Sequence, residues 1–326
     1  MNQTRFEQLY EQQWLEFGEL LDTLEKGKRE KAEAGGFPSR YRRICNQYGL
    51  ARGRHYSPAL VDRLHSLVLR GHHQLYKRKS SFFWHGLLFI AREFPRTIRE
   101  NYKLFWLAFL LFYGPAITVG IAAYNDPVFI YSVMDEGQVN NMESMYDPDN
   151  RKMGRDANRD AETDFAMFGY YIMNNISIGF RTFAGGILFG VGSVFFLLFN
   201  GIMIGGVAGH LSHPPYLSTF WQFVAGHGAF ELTAIVICGA AGLLLGRSLI
   251  MPGRLSRLDS LRCHAPIALQ LVIGGALMLV CAAFIEAFWS SSRLDPAFKF
   301  SVAAFNWVVV IAYLLFAGRT RSHGHK

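Results

Sequence analysis

The sequence has few cysteines, and none of them follows a structural spacing. Its four cysteines are scattered at Cys45, Cys238, Cys263 and Cys281 without a C-x-x-C pair, so neither a disulfide framework nor a zinc ribbon is indicated. The motifs H-E-x-x-H and G-x-S-x-G are missing as well, which removes the usual signatures of a zinc protease and a serine hydrolase. The first residues, M-N-Q-T-R-F-E-Q, contain no apolar run, and we therefore expect no cleavable signal peptide.

Charged residues are also scarce, at 18% of the 326 residues, whereas hydrophobic residues make up 51%. Several apolar runs exceed 18 residues, the length that predicts a transmembrane helix. The sequence therefore predicts an all-α, polytopic membrane protein with five or six membrane-entering helices. The formal net charge of +8 is interpreted loop by loop, because the sign of a loop indicates topology. Nucleic-acid binding is the rival interpretation, but no recognition motif accompanies the charge, and we expect no nucleic-acid partner.

Residues 1–102 are predicted to form a basic, helical, cytosolic region ahead of the first span. Apolar residues recur at steps of three and four over 6–24, which is typical of an amphipathic helix. Two further helices are predicted over about 41–48 and 58–76, the latter because it opens on a serine–proline pair. Residues 84–99 combine basic and aromatic side chains and are interpreted as an interfacial helix on an anionic membrane surface.

The transmembrane domain is predicted to occupy residues 103–318. Its apolar segments lie at about 103–124, 165–210, 222–246, 266–289 and 300–317. Residues 125–164 are acidic and polar and are predicted to form a solvated loop on the outer side, with the N-terminus in the cytoplasm.

Charge and span number disagree if only five segments cross the membrane. The loop 247–264 and the tail 319–326 are basic and favour the cytoplasm, but five crossings would place both outside. An even number of membrane crossings resolves the conflict. The candidate for the sixth crossing is 165–183, as a short span or as half of a re-entrant hairpin, which leaves both chain ends cytoplasmic.

Five polar residues within the predicted spans are candidate site residues. His227 and Glu231 are four residues apart, so both lie on one helix face. An ionisable residue in a span is costly in hydrocarbon and is a functional hypothesis by default, although such a pair can also simply hold two helices together. Asn174, Asn175 and Asn200 add polar groups. Asn200 precedes a glycine and is predicted to break the helix, unless the segment is an ordinary, tightly packed span.

Closely spaced glycines predict places where helices approach each other without intervening side chains. Such packing is consistent with a compact bundle and with a homodimer or another homo-oligomer. The glycines concerned are Gly186, Gly190, Gly201, Gly205, Gly209, Gly239, Gly242 and Gly246.

The strings G-H-G-A-F-E-L-T-A-I-V-I-C-G-A-A-G-L-L-L-G and L-L-F-N-G-I-M-I-G resemble the stage II sporulation protein M family of integral membrane proteins, also called DUF95. F-P-S-R-Y-R-R-I-C and Y-S-P-A-L-V-D-R-L resemble its non-sporulation branch, so the resemblance covers most of the chain. It is most specific at the H-G-A-F-E-L run, 227–232.

The resemblance implies a multi-pass protein of the bacterial inner membrane with an assembly or envelope-related role. It implies no catalytic activity, and we expect no catalytic residue, cofactor or metal site. Matching residues add Gly228 to the packing glycines. The family motif corresponds to Asn175, Gly186, Asn200, Gly201, Gly205, His227, Gly228, Glu231, Gly239, Gly242 and Gly246.

Three functions remain open at this point. The main prediction is a non-enzymatic scaffold in the lipid bilayer, with residues 1–102 recruiting a cytosolic or membrane protein. The alternative is a transporter or channel, in which polar groups beside an interrupted helix bind ions and a Glu–His pair passes protons. The third is an intramembrane hydrolase, in which His227 and Glu231 form half of a metal site downstream of His210 and His213. A lone i, i+4 pair is weak evidence for that site.

Overall fold

The structure is a computed structural model, and it describes residues 1–25, 36–76, 82–149, 161–292 and 294–319. These residues form helices and turns without a strand, so the predicted all-α class is confirmed. The chain divides into two compact units, Met1–Trp84 and His85–Lys326. The centre of the predicted outer loop and nearly all of the basic tail lie outside the described residues.

The described part of the first unit is built from three helices. They are α1 (Gln3–Glu25), α2 (Phe37–Gly53) and α3 (Pro58–Tyr76). All three were predicted, with α2 longer at both ends than the sequence indicated.

A closed apolar core holds these helices together. Phe6, Trp14 and Phe17 of α1 pack with Leu64 of α3, and each of the four is at most 1% exposed. Trp14 Nε1 donates a hydrogen bond of 2.7 Å to Oε1 of Gln47 in α2. The polar group of the buried indole is therefore satisfied, and the amphipathic pattern of α1 is explained by burial inside this unit.

Surface ion pairs link α1 to α3. Arg70 donates hydrogen bonds of 3.0 and 2.9 Å to the Glu25 carboxylate and one to Asp22. The Glu25 hydrogen bonds, followed by that of Asp22, raise the pKa of Arg70 above its ordinary value. Exposed pairs contribute about 0–1 kcal/mol each, so the apolar core decides the stability of this unit.

From residue 82 the chain continues as short helices and then long ones. The elements are α4 (Phe82–Leu88), a π-helical turn (Phe89–Glu93), α5 (Phe94–Glu100), α6 (Tyr102–Asn125), a 3-10 turn (Pro127–Ser132), α7 (Glu136–Tyr146), α8 (Ala161–Ala184), a 3-10 turn (Gly185–Ile187), α9 (Val191–His210), α10 (Leu217–Ile250), α11 (Arg257–Phe284), a π-helical turn (Ile285–Ser290) and α12 (Pro296–Phe316). Within the described residues, five helices are long and apolar enough to cross a membrane: α6, α9, α10, α11 with its π-helical turn, and α12.

The helix α10 is the centre of the second unit. Of its most apolar 18-residue window, 83% is buried, against 17% for α6 and for α12. The helices α6, α8, α9, α11 and α12 all pack against it. A helix that is apolar all round and surrounded by other helices is a core helix, and whatever α10 carries is therefore held by several neighbours.

The predicted sixth crossing, 165–183, lies in α8. This helix is continuous over 24 residues, about 36 Å at 1.5 Å per residue, and it packs on α10 and α11. It is less apolar than the five candidate spans and is not among them. The structure confirms the helix, while its crossing of the bilayer stays a prediction.

The predicted helix break at Asn200 is wrong. The helix α9 runs without interruption through this residue, because the Asn200 amide donates to the carbonyl of Phe196 over 2.7 Å and is satisfied within the helix. The chain reverses ten residues earlier, between α8 and α9, where Phe189 and Gly190 have φ angles of 54° and 81°. Glycine adopts this left-handed backbone without steric cost.

Glycines bring α9 into backbone contact with α6. A Cβ added at Gly201, Gly205 or Gly209 would overlap the carbonyl of a residue in α6. The overlapped carbonyls belong to Phe112, Ala116 and Gly120. Both sets are spaced by four residues, so one face of α9 follows one face of α6 over two turns.

The hairpin between α8 and α9 also makes backbone contact with the C-terminal half of α10, as α9 does with α6. A Cβ added at Gly186 would overlap the backbone of Gly242, and one added at Gly246 would overlap Gly190. At Gly239 the overlapping group is the Leu197 side chain. Gly228 differs: it is buried, but among the described residues no atom of another element lies within 4 Å of an added Cβ. The structure therefore gives Gly228 no close helix contact.

The predicted interfacial segment 84–99 is helical but contains a π-helical turn. Its last part belongs to the bundle, because Phe94 and Ile98 are buried in the core formed with α11 and α12. Arg99 also donates hydrogen bonds of 2.8 and 2.6 Å to the carbonyls of Leu314 and Ala317. The boundary between the two compact units lies after Trp84, and the division into a cytosolic region 1–102 and a transmembrane domain 103–318 stays a prediction. The membrane-surface location of this segment stays a prediction.

Candidate functional site

The first half of α10 carries the two ionisable residues that the sequence singled out. His227 and Glu231 lie on one helix face, with His227 Nε2 3.6 Å from Glu231 Oε2. This distance is too long for a hydrogen bond. His227 is 3% exposed, so the imidazole is held inside the bundle with Nε2 towards the Glu231 carboxylate but not bonded to it.

A third ionisable group comes from the end of α11. Glu286 lies in the π-helical turn, and one ligand atom from each of His227, Glu231 and Glu286 lies within 4.8 Å of the other two. We call these three residues the His–Glu–Glu cluster. A π-helical turn shifts the direction of the side chains that follow it and is frequent at functional sites.

The same turn fixes the orientation of His227. Ser290 lies one turn beyond Glu286, and its Oγ is 3.0 Å from His227 Nδ1. The hydroxyl can accept from a protonated Nδ1 or donate to a bare one, so this contact fixes the direction of the ring, with Nε2 towards Glu231, and is compatible with either tautomer.

The helix α8 adds an amide to the cluster. Asn175 is 2% exposed, and its Nδ2 donates to Glu286 Oε2 over 3.5 Å. Asn174 in turn donates to Oδ1 of Asn175 over 3.2 Å. Both asparagines predicted in this region therefore belong to the surroundings of the cluster, Asn175 directly and Asn174 through Asn175.

The helix α12 closes the other side. Lys299 is 5% exposed, and its Nζ donates to the carbonyl of Ser290 over 2.8 Å. Asn306 donates to the carbonyl of Gly226, next to His227, over 2.8 Å. Four helices, α8, α10, α11 and α12, thus meet around the cluster, and the buried amine of Lys299 bonds to the backbone of Ser290, the residue that contacts His227.

A cavity of about 370 Å³ adjoins Glu286. Its walls come from the C-terminal end of α7, the N-terminal half of α8, the first turns of α10 and the π-helical turn after α11. The lining residues are Met145, Tyr146, Met167, Tyr170, Tyr171, Phe223 and Glu286. Within the described residues, this cavity borders one carboxylate of the cluster, that of Glu286.

Three other predicted polar residues do not join the cluster. Asn200 is bonded within its own helix, as described above. His210 Nε2 is 2.7 Å from Glu143 Oε1 in α7, and His213 Nε2 is 2.8 Å from the carbonyl of Tyr124. The suggested metal site of His227 with these upstream histidines is therefore not formed.

Three residues around the site were not predicted from the sequence: Glu286, Ser290 and Lys299. Glu286 and Lys299 carried a signal, since each is an ionisable residue inside a helix otherwise apolar enough to span a membrane. Ser290 carried none, because a serine at the end of an apolar helix is common.

Comparison with known proteins agrees with this architecture. Residues 108–291 match the model of the family described as Stage II sporulation protein M, and residues 4–77 match a domain of unknown function, DUF8413. An uncharacterized protein of Methanocaldococcus jannaschii, MJ0793, is 29% identical over 125 residues, which is 37% of this chain and 69% of that protein. No solved structure matches the chain.

The first match covers more than half of the 326 residues and contains the whole cluster. With five helices able to span a membrane, the protein is a multi-pass membrane protein. The predicted family is confirmed: the chain belongs to the stage II sporulation protein M family.

Proposed function

We propose that the protein moves a cation across the membrane through the His–Glu–Glu cluster. The observation that carries this proposal is the meeting of three ionisable side chains within 4.8 Å among helices that are otherwise apolar. Ionisable groups within membrane-spanning helices are costly and typically mark ion or proton pathways. Two carboxylates attract a cation, and the adjoining cavity supplies access from one side of the bundle.

Ion flux into liposomes tests the proposal. Purified wild-type protein and the Glu231→Gln variant are reconstituted at matched protein-to-lipid ratios, and a panel of H⁺, Na⁺, K⁺, Mn²⁺ and Zn²⁺ gradients is applied. Asn200→Ala is the matched control, because Asn200 is a polar residue of a membrane helix outside the cluster. We expect flux of at least one cation in the wild type and the control, and its loss in Glu231→Gln. Tight liposomes for every gradient would refute transport.

A scaffold function is the second candidate, and one observation favours it. The first unit has its own apolar core and a family match of its own, which suits a module that recruits a partner. Cross-linking of the full chain in native membranes tests this. A partner that is retained by Glu231→Gln but lost when Leu64 is replaced by alanine would support a scaffold. A chain that purifies alone would count against it.

Our proposal also includes the setting of the protein. It places the chain in a bacterial inner membrane, with both ends in the cytoplasm, as a homodimer or another homo-oligomer without enzymatic activity. The basic character of 247–264 and 319–326 supports this orientation. Cysteine labelling from either side of the membrane tests it, and labelling of residue 255 from the outer side would overturn it.

A further inference from the structure

We infer that His227, Glu231 and Glu286 bind a divalent transition-metal ion. The inference specifies which class of cation the proposed transport function would move, and in that respect it rests on the proposed function. Metal binding itself is argued from the geometry alone. It also departs from the sequence-based expectation that the protein has no metal site. The three side chains come from two helices; the sequence paired His227 with Glu231 but did not join Glu286 to them.

The ligand atoms of the three side chains are spaced as in a metal site. Zinc binds imidazole nitrogen and carboxylate oxygen at about 2.0–2.2 Å, and the ligand atoms of a tetrahedral site are then about 3.4 Å apart. His227 Nε2 and Glu231 Oε2 are 3.6 Å apart, and all three ligand atoms lie within 4.8 Å of one another. Displacements of the ligand atoms by a few tenths of an ångström to about 1 Å, through side-chain rotation, bring such groups onto one ion.

The gap between His227 and Glu231 also fits a metal site. His227 is 3% exposed, and its Nε2 is 3.6 Å from Glu231 Oε2, which is beyond the distance of a hydrogen bond. The imidazole and the carboxylate therefore face each other without bonding directly, at a separation close to that of two ligands of one metal ion.

The groups behind the ligands also fit a metal site. A metal-binding histidine usually donates its other ring N–H to a neighbouring acceptor, which fixes the ring and its tautomer. Ser290 Oγ lies 3.0 Å from Nδ1 and is placed to accept such a hydrogen bond when Nε2 binds the ion. Ser290 is itself anchored, because Lys299 donates to its carbonyl over 2.8 Å. Asn175 donates to one Glu286 oxygen over 3.5 Å and leaves the other oxygen for the ion.

The donor set indicates which ions fit. One imidazole and two carboxylates suit Zn²⁺, Mn²⁺, Fe²⁺ or Co²⁺, while Ca²⁺ and Mg²⁺ prefer oxygen ligands alone. Three protein ligands leave at least one coordination position for water. That position can face the cavity of about 370 Å³ next to Glu286, which also provides the entry path that a metal site requires.

Equilibrium metal binding tests the inference. Full-length protein in detergent is stripped with a chelator and titrated with Zn²⁺ against a chromophoric chelator, and the bound metal is counted by mass spectrometry. All samples carry His323→Gln and His325→Gln, so that the terminal histidines do not contribute. We expect about one ion per chain, with affinity reduced at least 10-fold in Glu286→Gln and in His227→Gln, and unchanged in Asn200→Ala.

Two further measurements keep the test decisive. Ser290→Ala removes the hydroxyl that orients His227 and leaves all three proposed ligands in place. We expect this variant to bind metal more weakly, while its unfolding temperature without metal stays close to that of the wild type. Bound Co²⁺ should give the visible absorption of a four- or five-coordinate site. Binding below 0.2 ions per chain, or equal affinity in the wild type and Glu286→Gln, would overturn the inference.

The outcomes separate the metal site from transport. Proton or alkali-cation flux without zinc binding would support transport and overturn the metal site. Stoichiometric zinc binding without flux of any ion would support the metal site and overturn transport.

Discussion

Replacing Gly205 by alanine should force α9 away from α6. A Cβ at this position would lie 2.7 Å from Ala116 Cα and 2.8 Å from its carbonyl carbon, whereas carbon atoms in favourable contact are about 3.5–4.0 Å apart. The two helices must therefore separate by about 1 Å, since a backbone cannot rotate out of the way as a side chain can. Such overpacking costs about 1–3 kcal/mol of unfolding free energy.

Gly228→Ala is the matched control, because Gly228 is buried but has no atom of another element within 4 Å of an added Cβ. Both variants gain up to about 1 kcal/mol of helix propensity, so their difference isolates the clash. Thermal or denaturant unfolding in detergent measures it. We expect Gly205→Ala to be less stable than Gly228→Ala by about 1–3 kcal/mol. Equal stabilities would show that the α6–α9 backbone contact is not as close as described.

Two further predictions concern side chains outside the cluster. Arg99→Ala removes charged hydrogen bonds to two carbonyls at the end of α12 and should lower the unfolding free energy by about 1–3 kcal/mol, while Arg96→Ala, which breaks only an exposed pair, should cost under about 1 kcal/mol. Equal effects in unfolding experiments would contradict the role of Arg99. In the first unit, Leu64→Ala should cost about 2–5 kcal/mol, because Leu64 is completely buried, whereas Leu9→Ala on the exposed face should have little effect. Limited proteolysis of both variants checks this, and equal resistance to cleavage would refute it.

Local patterns explain why much of the fold was predictable. The apolar residues of α1 repeat with the helical period, and the long apolar runs are spans by length alone. The segment 84–99 shows where such patterns fail. Its sequence indicates an amphipathic helix, but whether lipid or protein covers the apolar face depends on distant residues. Phe94 fits against Gly274 of α11, 180 residues later, and no local pattern predicts that contact.

The site was predictable only as far as it is local. His227 and Glu231 are neighbours because a helix brings residues four apart onto one face, and the sequence gives that spacing directly. Glu286 joins them through packing of α11 on α10 and through a π-helical turn, and neither follows from composition. Asn175 and Asn200 look equivalent in the sequence. The structure separates them, because one side chain bonds to Glu286 and the other to its own helix.

The most direct test of the account asks whether Glu231 and Glu286 act as one unit in cation flux. Wild type, Glu231→Gln, Glu286→Gln and the double variant are compared in one liposome assay, with Asn200→Ala as the control. Residues that serve one site are strongly non-additive, so the account predicts that each single variant loses flux and that the double variant is no worse. Normal flux in either single variant, or losses that simply add, would contradict a shared site.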